Sequence, residues 1–311
     1  MNLKQQFKAL FRGNSLERPL FIPFIGTYLH KVSQKSMREI MHDPGLFHQS
    51  LRDVQQLFDL DAVITPLDET LEAEAFGCPV RWEQDQRAVI AGERGEEISP
   101  DVDTWLTRGR IPVFLEGVKR LAQVEGKQIP LLASVTGPFS LAYLLYGESG
   151  LSKIEEINAY VLGLIKAYAE AGADGIIINE GDVFQQRPFL QEALIQYYKP
   201  LINVARYFNK YVIIRLAELP EKTDPLFKLN IHGLIAPIKN GIGNSKVVLG
   251  FPLDTKRLSN HMEANDLLTE GIGASGHKGI FFSTNKPLNQ EEGDILTLQS
   301  NIKKIRGDLA E

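Results

Sequence analysis

The sequence lacks the cysteines needed for a disulfide or a multi-cysteine metal site, and it lacks an apolar run long enough to span a membrane. Its 311 residues include one cysteine, Cys78. A single thiol excludes an internal disulfide and any metal centre that needs two or more cysteine ligands. No run of about 18 apolar residues is available for a transmembrane helix. Residues 1–14 lack the apolar centre of a secretory signal peptide. These absences favour a cytoplasmic protein.

An excess of positive charge is also missing. The chain has 34 Lys and Arg against 39 Asp and Glu, a formal net charge of −5. The one short basic run, residues 303–306, has the composition of a helix end. There is no GxxxxGK[ST], HExxH or GxSxG motif. The GxGxxG spacing occurs once, in GIGASG at residues 271–276, but it precedes a predicted strand, whereas a dinucleotide-binding loop follows one. We therefore expect neither nucleic-acid nor membrane partners, and none of the chemistry that these motifs carry.

Short apolar runs followed by turns and helical patterns recur eight times. Near-continuous apolar runs are typical of strands buried on both faces of a parallel sheet. The predicted strands are Leu20–Ile25, Asp61–Thr65, Pro130–Val135, Gly175–Ile178, Tyr211–Arg215, Gly233–Ala236, Lys246–Leu249 and Gly279–Phe282. Helical spacing predicts helices over Ile154–Glu170, ended by Gly172, over Pro188–Phe208 and over Gln290–Arg306.

Eight strands alternating with helices predict an α/β fold, a (β/α)8 TIM barrel. The segment of about residues 77–110 differs, because it is charged and contains VRWEQ and RAVIAG, two strand-like runs separated by a polar turn. We interpret it as a small antiparallel hairpin inserted after the second strand. The chain, residues 1–311, is then expected to be a single barrel domain.

The functional site of such a barrel lies at the C-terminal ends of its strands. The polar and aromatic residues predicted there are Tyr28, His30, Asp68, Tyr143, Asn179, Glu180, Arg215 and Glu218. Other roles are open for several of them. Asp68 could instead cap a helix, and Tyr143 could pack with Tyr146. Arg215 could pair with Glu180, with Glu218 or with an acidic substrate. Of Glu72 and Glu74, at least one is expected to be a solvated surface charge.

Several segments, in the same order along nearly the whole chain, resemble the uroporphyrinogen decarboxylase superfamily. They include ERPLFIPFIGTYL, FDLDAVITPLDETLEAEAFGCPV, SVTGPFSLAYLLYG, AYAEAGADGIIINE, KVVLGFPLDT and GIFFSTNKPLNQEE. This superfamily also contains cobalamin-dependent methyltransferases. The resemblance implies a (β/α)8 barrel with a deep cleft at its C-terminal mouth.

The resemblance to the decarboxylase branch implies substrate-binding residues that this sequence mostly lacks. Its two first-loop arginines fall at Pro23 and Thr27, and its tyrosine falls at Leu144, beside Tyr143. Its late histidine is replaced in the stretch Thr284-Asn285. Its aspartate is matched by Asp68, nine residues before a glycine. A substrate with eight carboxylates needs cations, and we expect more acids than bases in this cleft.

The methyltransferase branch resembles these segments more closely in its residues, but this sequence lacks the zinc ligands of that branch. Members bind zinc through a His-x-Cys pair and a later cysteine. The matching positions are Arg215-Leu216-Ala217 and the region of Ser283-Thr284. The resemblance therefore predicts no thiolate-ligated zinc, and we assign no metal ligand.

The sequence thus predicts a divergent superfamily member, a corrinoid- or one-carbon-linked methyltransferase-like enzyme. The cofactor is unknown, and a corrinoid is the candidate. The expected partners are a small-molecule substrate and a corrinoid protein. A homodimer is left open. Asp68 would bind substrate N–H groups and Glu180 would be the acid/base, oriented by Arg215. Tyr28, His30, Tyr143, Asn179 and Glu218 would bind substrate. The alternatives are a uroporphyrinogen decarboxylase of porphyrin biosynthesis with a degenerate arginine site, and a non-catalytic tetrapyrrole- or corrinoid-binding protein.

Overall fold

Eight parallel strands form one curled sheet. The computed structural model describes residues 1–92, 101–188, 190, 193–219, 224–237, 247–258, 279–289 and 295–306. The strands of this sheet are β1 (Leu20–Phe21), β2 (Val63–Ile64), β5 (Leu131–Thr136), β6 (Gly175–Asn179), β7 (Tyr211–Arg215), β8 (Gly233–Ile235), β9 (Val248–Leu253) and β10 (Ile280–Thr284). They neighbour one another in the order β1-β10-β9-β8-β7-β6-β5-β2. The predicted barrel is confirmed, and each predicted strand overlaps an observed one.

The ring closes between β1 and β2 through a single residue, Asp61. Its backbone N–H donates to the Phe21 carbonyl at 3.2 Å. Its carboxylate accepts from the Phe21 N–H at 2.7 Å. Arg18 donates two hydrogen bonds, each 2.7 Å long, to the same fully buried carboxylate. Asp61 therefore connects β1 to β2, as backbone hydrogen bonds connect neighbouring strands elsewhere in the barrel.

Helices cover the outside of the ring. They are α1 (Leu3–Phe11), α2 (Tyr28–Ser33), α3 (Met37–Ile40), α4 (Pro44–Phe58), α5 (Thr70–Ala75), α6 (Val102–Trp105), α7 (Ile111–Val124), α8 (Pro138–Tyr146), α9 (Ile154–Ala171), α10 (Val183–Gln186), α11 (Leu194–Tyr207), α12 (Asp224–Lys228), α13 (Thr255–Leu258) and α14 (Ile295–Arg306). A 3-10 helix, Gly147–Lys153, links α8 to α9. Within the described ranges, none of the helices is both long enough and apolar enough to cross a membrane.

The predicted helix ends are confirmed in one case and corrected in another. Helix α9 ends at Gly172, which has φ +109 as expected of a C-cap glycine. The helix predicted from Pro188 begins instead at Leu194. Arg187, which precedes Pro188, is not helical, with φ −136 and ψ 74, because a residue before proline is disfavoured in the helical region. Lys246, at the start of one predicted strand, and residues 290–294, at the start of the last predicted helix, lie outside the described residues.

The insertion after β2 contains the predicted hairpin. Strand β3 (Val80–Glu83) pairs antiparallel with β4 (Arg87–Ile90), and the two form a separate sheet. Gln84 and Asp85, at the turn, both have positive φ. The hairpin bounds the mouth of the barrel, where residues of both of its strands line a cleft.

Two apolar layers determine which strand residues face the interior. One cluster fills the barrel and includes Leu132, Ile177, Ile213 and Ile235. Their neighbours along the strands, such as Ile178 and Ile214, belong to the layer between strands and helices. Because side chains alternate along a strand, positions two residues beyond Ile177 and Ile213 also face inward. Those positions are Asn179 and Arg215, at the C-terminal ends of β6 and β7.

Candidate active site at the barrel mouth

A large open cleft lies at the C-terminal ends of the strands. Its volume is about 1310 Å³. The loops after β1 and β2, helix α3, the hairpin, the end of α8 and the loop after β10 contribute its walls, and Asn179 and Arg215 lie at its floor. The lining residues used below are Asp68, Glu69, Arg81, Glu83, Arg87, Leu144, Asn179, Arg215 and Lys286.

Among the described residues, the charge of the cleft differs from the expectation of more acids than bases. Arg81, Arg87, Arg215 and Lys286 line it together with three acidic residues, Asp68, Glu69 and Glu83. Two of the four cations come from the hairpin, which sequence reasoning did not assign to the site. Arg81 lies 3.1 Å from Glu83, and both are well exposed. The correction thus rests mainly on Arg87, Arg215 and Lys286.

Arg215 and Asn179 form the polar floor of the cleft. The guanidinium donates to Asn179 Oδ1 at 2.7 Å and to the Asn285 carbonyl at 2.5 Å. It lies 5.3 Å from the centre of the Phe24 ring. Burial lowers the pKa of Arg215, and the charge of Glu69 partly offsets this. In the part of the chain that the structure describes, no carboxylate lies within 4 Å of this guanidinium. Arg215 is therefore a largely buried cation bound to two neutral oxygens.

Glu180 lies behind the cleft, and the prediction that Arg215 orients it is wrong. Glu180 follows Asn179, so its side chain points away from the barrel interior, towards α8. Its carboxylate accepts from the backbone N–H groups of Phe139 and Ser140, at 3.2 and 2.7 Å, and from the Tyr198 hydroxyl at 2.6 Å. Burial raises the pKa of Glu180 to about 7, although these hydrogen bonds lower it. Its contacts are those of a group that caps a helix.

Asp68 lines the cleft, and it also takes the alternative role of a local cap. Oδ1 accepts from the backbone N–H and the hydroxyl of Thr70, at 2.9 and 2.7 Å. Oδ2 accepts from Arg110, which also donates to Glu74 at 2.7 Å and lies over the Trp82 ring. Arg110 is almost fully buried. This arginine joins the loop after β2 to the hairpin, and no sequence signal marked it.

Glu72 is a buried acid that sequence reasoning did not place in the site. It is 1 % exposed, and Glu74 pairs with Arg110, so neither is the solvated surface charge that was expected. Glu72 Oε1 and Oε2 accept from the Thr136 N–H and hydroxyl, at 2.9 and 2.8 Å. Burial raises the pKa of Glu72 to about 7, against the effect of these two hydrogen bonds. Its spacing of four from Asp68 was the available signal, because such a spacing shares a helix face.

Four predicted substrate-binding residues do not line the cleft. Tyr28 is 1 % exposed and packs edge-on against Phe58. The His30 ring hydrogen-bonds the Lys35 carbonyl at 2.9 Å. Tyr143 lies under the Arg187 guanidinium, 4.0 Å from the ring centre, while its neighbour Leu144 faces the cleft. Glu218 is exposed beyond the end of β7. The structure brings together only Asp68, Asn179 and Arg215 of the predicted set.

The residues at the floor do not fit a zinc ion. Arg215 occupies the position of the expected histidine ligand, and a guanidinium has no lone pair to offer and repels a cation. Across the described ranges, no three His, Cys, Asp or Glu side chains converge as a metal site.

Comparison with known proteins assigns the family. A family model described as uroporphyrinogen decarboxylase (URO-D) matches residues 2–198, more than half of the chain. The chain belongs to the uroporphyrinogen decarboxylase family. The membership inferred from the sequence segments is thereby confirmed, and the match includes Asp68, Asn179 and Glu72.

The curated relatives of this family member are methyltransferases. A methylcobamide:CoM methyltransferase MtbA of Methanosarcina acetivorans is 27% identical over 174 residues, which are 50% of this chain and 51% of that protein. A methylcobamide:CoM methyltransferase MtaA of Methanosarcina barkeri is 28% identical over 167 residues, 45% of this chain and 48% of that one. The chain spans about half the length of the curated relatives it matches.

Solved structures show the same fold over a longer range. A methyltransferase from Methanosarcina mazei superposes with a TM-score of 0.79 at 18% identity, covering 99% of both chains. A B12-independent methionine synthase from a Shewanella species gives a TM-score of 0.54 at 16% identity, covering 84% of this chain and 88% of that one. At such identities the likeness is one of fold.

Proposed function

We propose that this family member is a methyltransferase, which moves a methyl group from a methylated corrinoid to a small anionic acceptor in the barrel mouth. The methylcobamide:CoM methyltransferases among its relatives support the donor and the reaction class. The cleft, at about 1310 Å³, exceeds the roughly 300–1,000 Å³ of an ordinary small-molecule site. Such a volume suits a corrinoid and an acceptor that meet in one cleft, with a corrinoid protein as the partner that delivers the donor.

The observation that carries this proposal is the unpaired charge of Arg215. A buried cation is costly unless an anion or several hydrogen-bond acceptors surround it. Within the described residues, two neutral oxygens accept from the guanidinium, no carboxylate pairs with it, and Arg215 lines the cleft. An acceptor with a carboxylate or sulfonate group would complete this site. Arg215 would hold that anionic group, and the adjacent Asn179 amide would orient the acceptor, whose reacting heteroatom is a separate, protonated group.

The test is methyl transfer from methylcobalamin to coenzyme M, followed anaerobically by the change in corrinoid absorption. Replacing Arg215 by Gln should raise the KM for coenzyme M on the order of ten- to a hundredfold. That range corresponds to the roughly 1.5–3 kcal/mol of a hydrogen bond to a charged group. The control is Arg120→Gln, which removes a half-exposed guanidinium from the outer helix α7. Its KM should equal that of the unaltered protein.

Two results would contradict the proposal. The first is the absence of methyl loss with coenzyme M and with other carboxylate- or sulfonate-bearing acceptors. The second is saturable binding of methylcobalamin without product under every condition, which would favour a non-catalytic corrinoid carrier. An Arg215→Gln protein with unchanged KM would remove Arg215 from the acceptor site.

One observation favours a second candidate, the decarboxylation of uroporphyrinogen. The hairpin adds Arg81 and Arg87 to the cleft, so the mouth has more cations than the sequence indicated. A substrate rich in carboxylates could use them. Conversion of uroporphyrinogen to coproporphyrinogen, weakened in an Arg87→Gln variant, would support this reading. Failure to bind uroporphyrin would exclude it.

A further inference from the structure

A small polar cavity separates Glu72 from the floor of the cleft. Its volume is about 10 Å³, close to the smallest that holds one water molecule. Glu72, Ser134 and Thr136 line it, together with Leu71 and Val135. The rest of its lining, Pro66, Leu67, Asp68, Glu69 and Asn179, also lines the cleft. The cavity is thus a polar connection between a buried acid and the proposed acceptor site.

We propose that Glu72 is the proton acceptor of the methyl transfer, and that one water molecule in this cavity relays the proton to it from the acceptor at Arg215 and Asn179. This inference rests on the proposed function. The acceptor's heteroatom forms a bond to the methyl carbon with its lone pair. The cobalt–carbon bond breaks, and its electron pair stays on cobalt, which becomes cobalt(I). The proton that the heteroatom loses passes through the water to the Glu72 carboxylate.

The surroundings of Glu72 suit this role. Thr136, on β5, supplies both hydrogen bonds to its carboxylate. Asp68 and Glu69, in the loop after β2, are acidic neighbours at the cavity, and Asp68 raises the pKa of Glu72. Burial raises the pKa of Tyr168 on α9, as do Glu72 and Asp68, so its phenol stays neutral. Within the described residues, no cation lies within 4 Å of Glu72. A base works best when its pKa is close to the working pH, and the value near 7 is close to neutrality.

Glu180 provides an internal comparison. Among the described residues, it is the other fully buried carboxyl group whose pKa is raised to about 7. It lines neither the cleft nor the small cavity, and α8 and Tyr198 take up its oxygens. If proximity to the cleft determines the role, these two acids must behave differently when a ligand binds.

The first experiment reads the protonation of Glu72 without turnover. Infrared difference spectra across pH 5–9 should show the carbonyl bands of two buried carboxylic acids, one lost in Glu72→Gln and the other in Glu180→Gln. Addition of coenzyme M should shift the Glu72 band or its midpoint and leave the Glu180 band in place. If coenzyme M binds and leaves the Glu72 band unchanged, the proposal is overturned.

The second experiment is the pH profile of kcat/KM for methyl transfer. The unaltered protein should lose rate below a midpoint near pH 7, where Glu72 takes up its proton. Glu72→Gln should remove this limb and reduce the rate at pH 7 roughly a hundredfold, the lower end for general-base catalysis. The matched control is Glu74→Gln, on the same helix, whose carboxylate faces Arg110; its limb should be unchanged.

A second variant keeps the proposal testable if Glu72→Gln does not fold. Thr136→Val removes the hydroxyl that donates to Glu72, and this donor favours the charged form. The acidic limb should therefore move to higher pH. A limb that persists in Glu72→Gln, or that disappears in Glu180→Gln, would refute the role of Glu72. If no variant transfers methyl groups, the proposed function fails, and the infrared response alone decides whether Glu72 exchanges a proton with the cleft.

Discussion

At the scale of single residues, His232 is held neutral by its position just before β8. Its Nδ1 accepts from the Val212 backbone N–H at 3.0 Å, so the proton of the neutral ring is on Nε2. Burial lowers the pKa of His232 to about 4, and Arg206 adds to this effect. Between about pH 6.5 and pH 4, a proton binds this histidine in the unfolded chain but not in the folded one. His232 therefore makes the protein less stable as the pH falls through this range.

We expect His232→Asn to weaken that pH dependence, because the amide oxygen can still accept from Val212 and does not titrate. The measurement is the free energy of unfolding in urea at several pH values between 4 and 7. Subtracting the free energies of unfolding of the variant and the unaltered protein isolates the contribution of His232. The buried acids Glu72 and Glu180 are present in both proteins, and they make the protein more stable as the pH falls. The same replacement at the exposed His42 is the control. An equal slope in both proteins would contradict the role given to His232.

The residues of the site show what sequence can predict at this scale. Asn179 and Arg215 were found because strand ends in a barrel carry the polar mouth. Glu180 was misplaced because the period of two sends consecutive residues to opposite sides of the sheet. Tyr28 was misplaced because the side of a short helix that faces the core depends on packing with Phe58, which the local sequence does not reveal.

At the scale of elements, α8 begins at a tight contact between Gly137 and Glu180. A Cβ atom at Gly137 would lie 2.2 Å from Glu180 Cδ. Gly137 has φ −66, so alanine is compatible with the backbone and only the contact opposes it. Gly137→Ala should therefore reduce the free energy of unfolding by roughly 1–3 kcal/mol, as overpacking does. Chemical denaturation measures this cost.

The contact can be tested by coupling the two sites. In a Glu180→Ala background the side chain that blocks a Cβ is gone, so Gly137→Ala should cost clearly less than in the unaltered protein. Additive costs in the double variant would mean that Glu180 is not the cause. The start of α8 itself was open to prediction from Gly137-Pro138, since proline favours the first helical turn. Glu180, whose carboxylate caps this helix, was not open to prediction, because it lies 42 positions after Pro138 in the sequence.

At the scale of the whole molecule, the barrel was predictable and its mouth was only partly so. The eight buried strands leave a pattern because both of their faces are apolar. The hairpin was also visible, from VRWEQ and RAVIAG. The sequence did not show that this hairpin contributes Arg81 and Arg87 to the cleft. The direction in which an insertion folds over the barrel depends on contacts with residues distant in the chain. Arg110, between Asp68, Glu74 and Trp82, is one such contact.

The closure of the barrel depends on a single buried charge. Strands β1 and β2 are each two residues long, and Asp61 binds both the Phe21 N–H and the Arg18 guanidinium between them. Asp61→Asn should lower the free energy of unfolding by roughly 3 kcal/mol, the lower end for breaking a buried pair, because Arg18 keeps some contact with water. Asp85→Asn is the matched control: Asp85 pairs with the exposed Arg38, its side chain is 57% exposed, and we expect a loss below about 1 kcal/mol. Urea denaturation of both variants measures the difference. Equal losses would show that the seam is held by apolar packing, and that the Asp61 carboxylate adds no more stability than a surface charge.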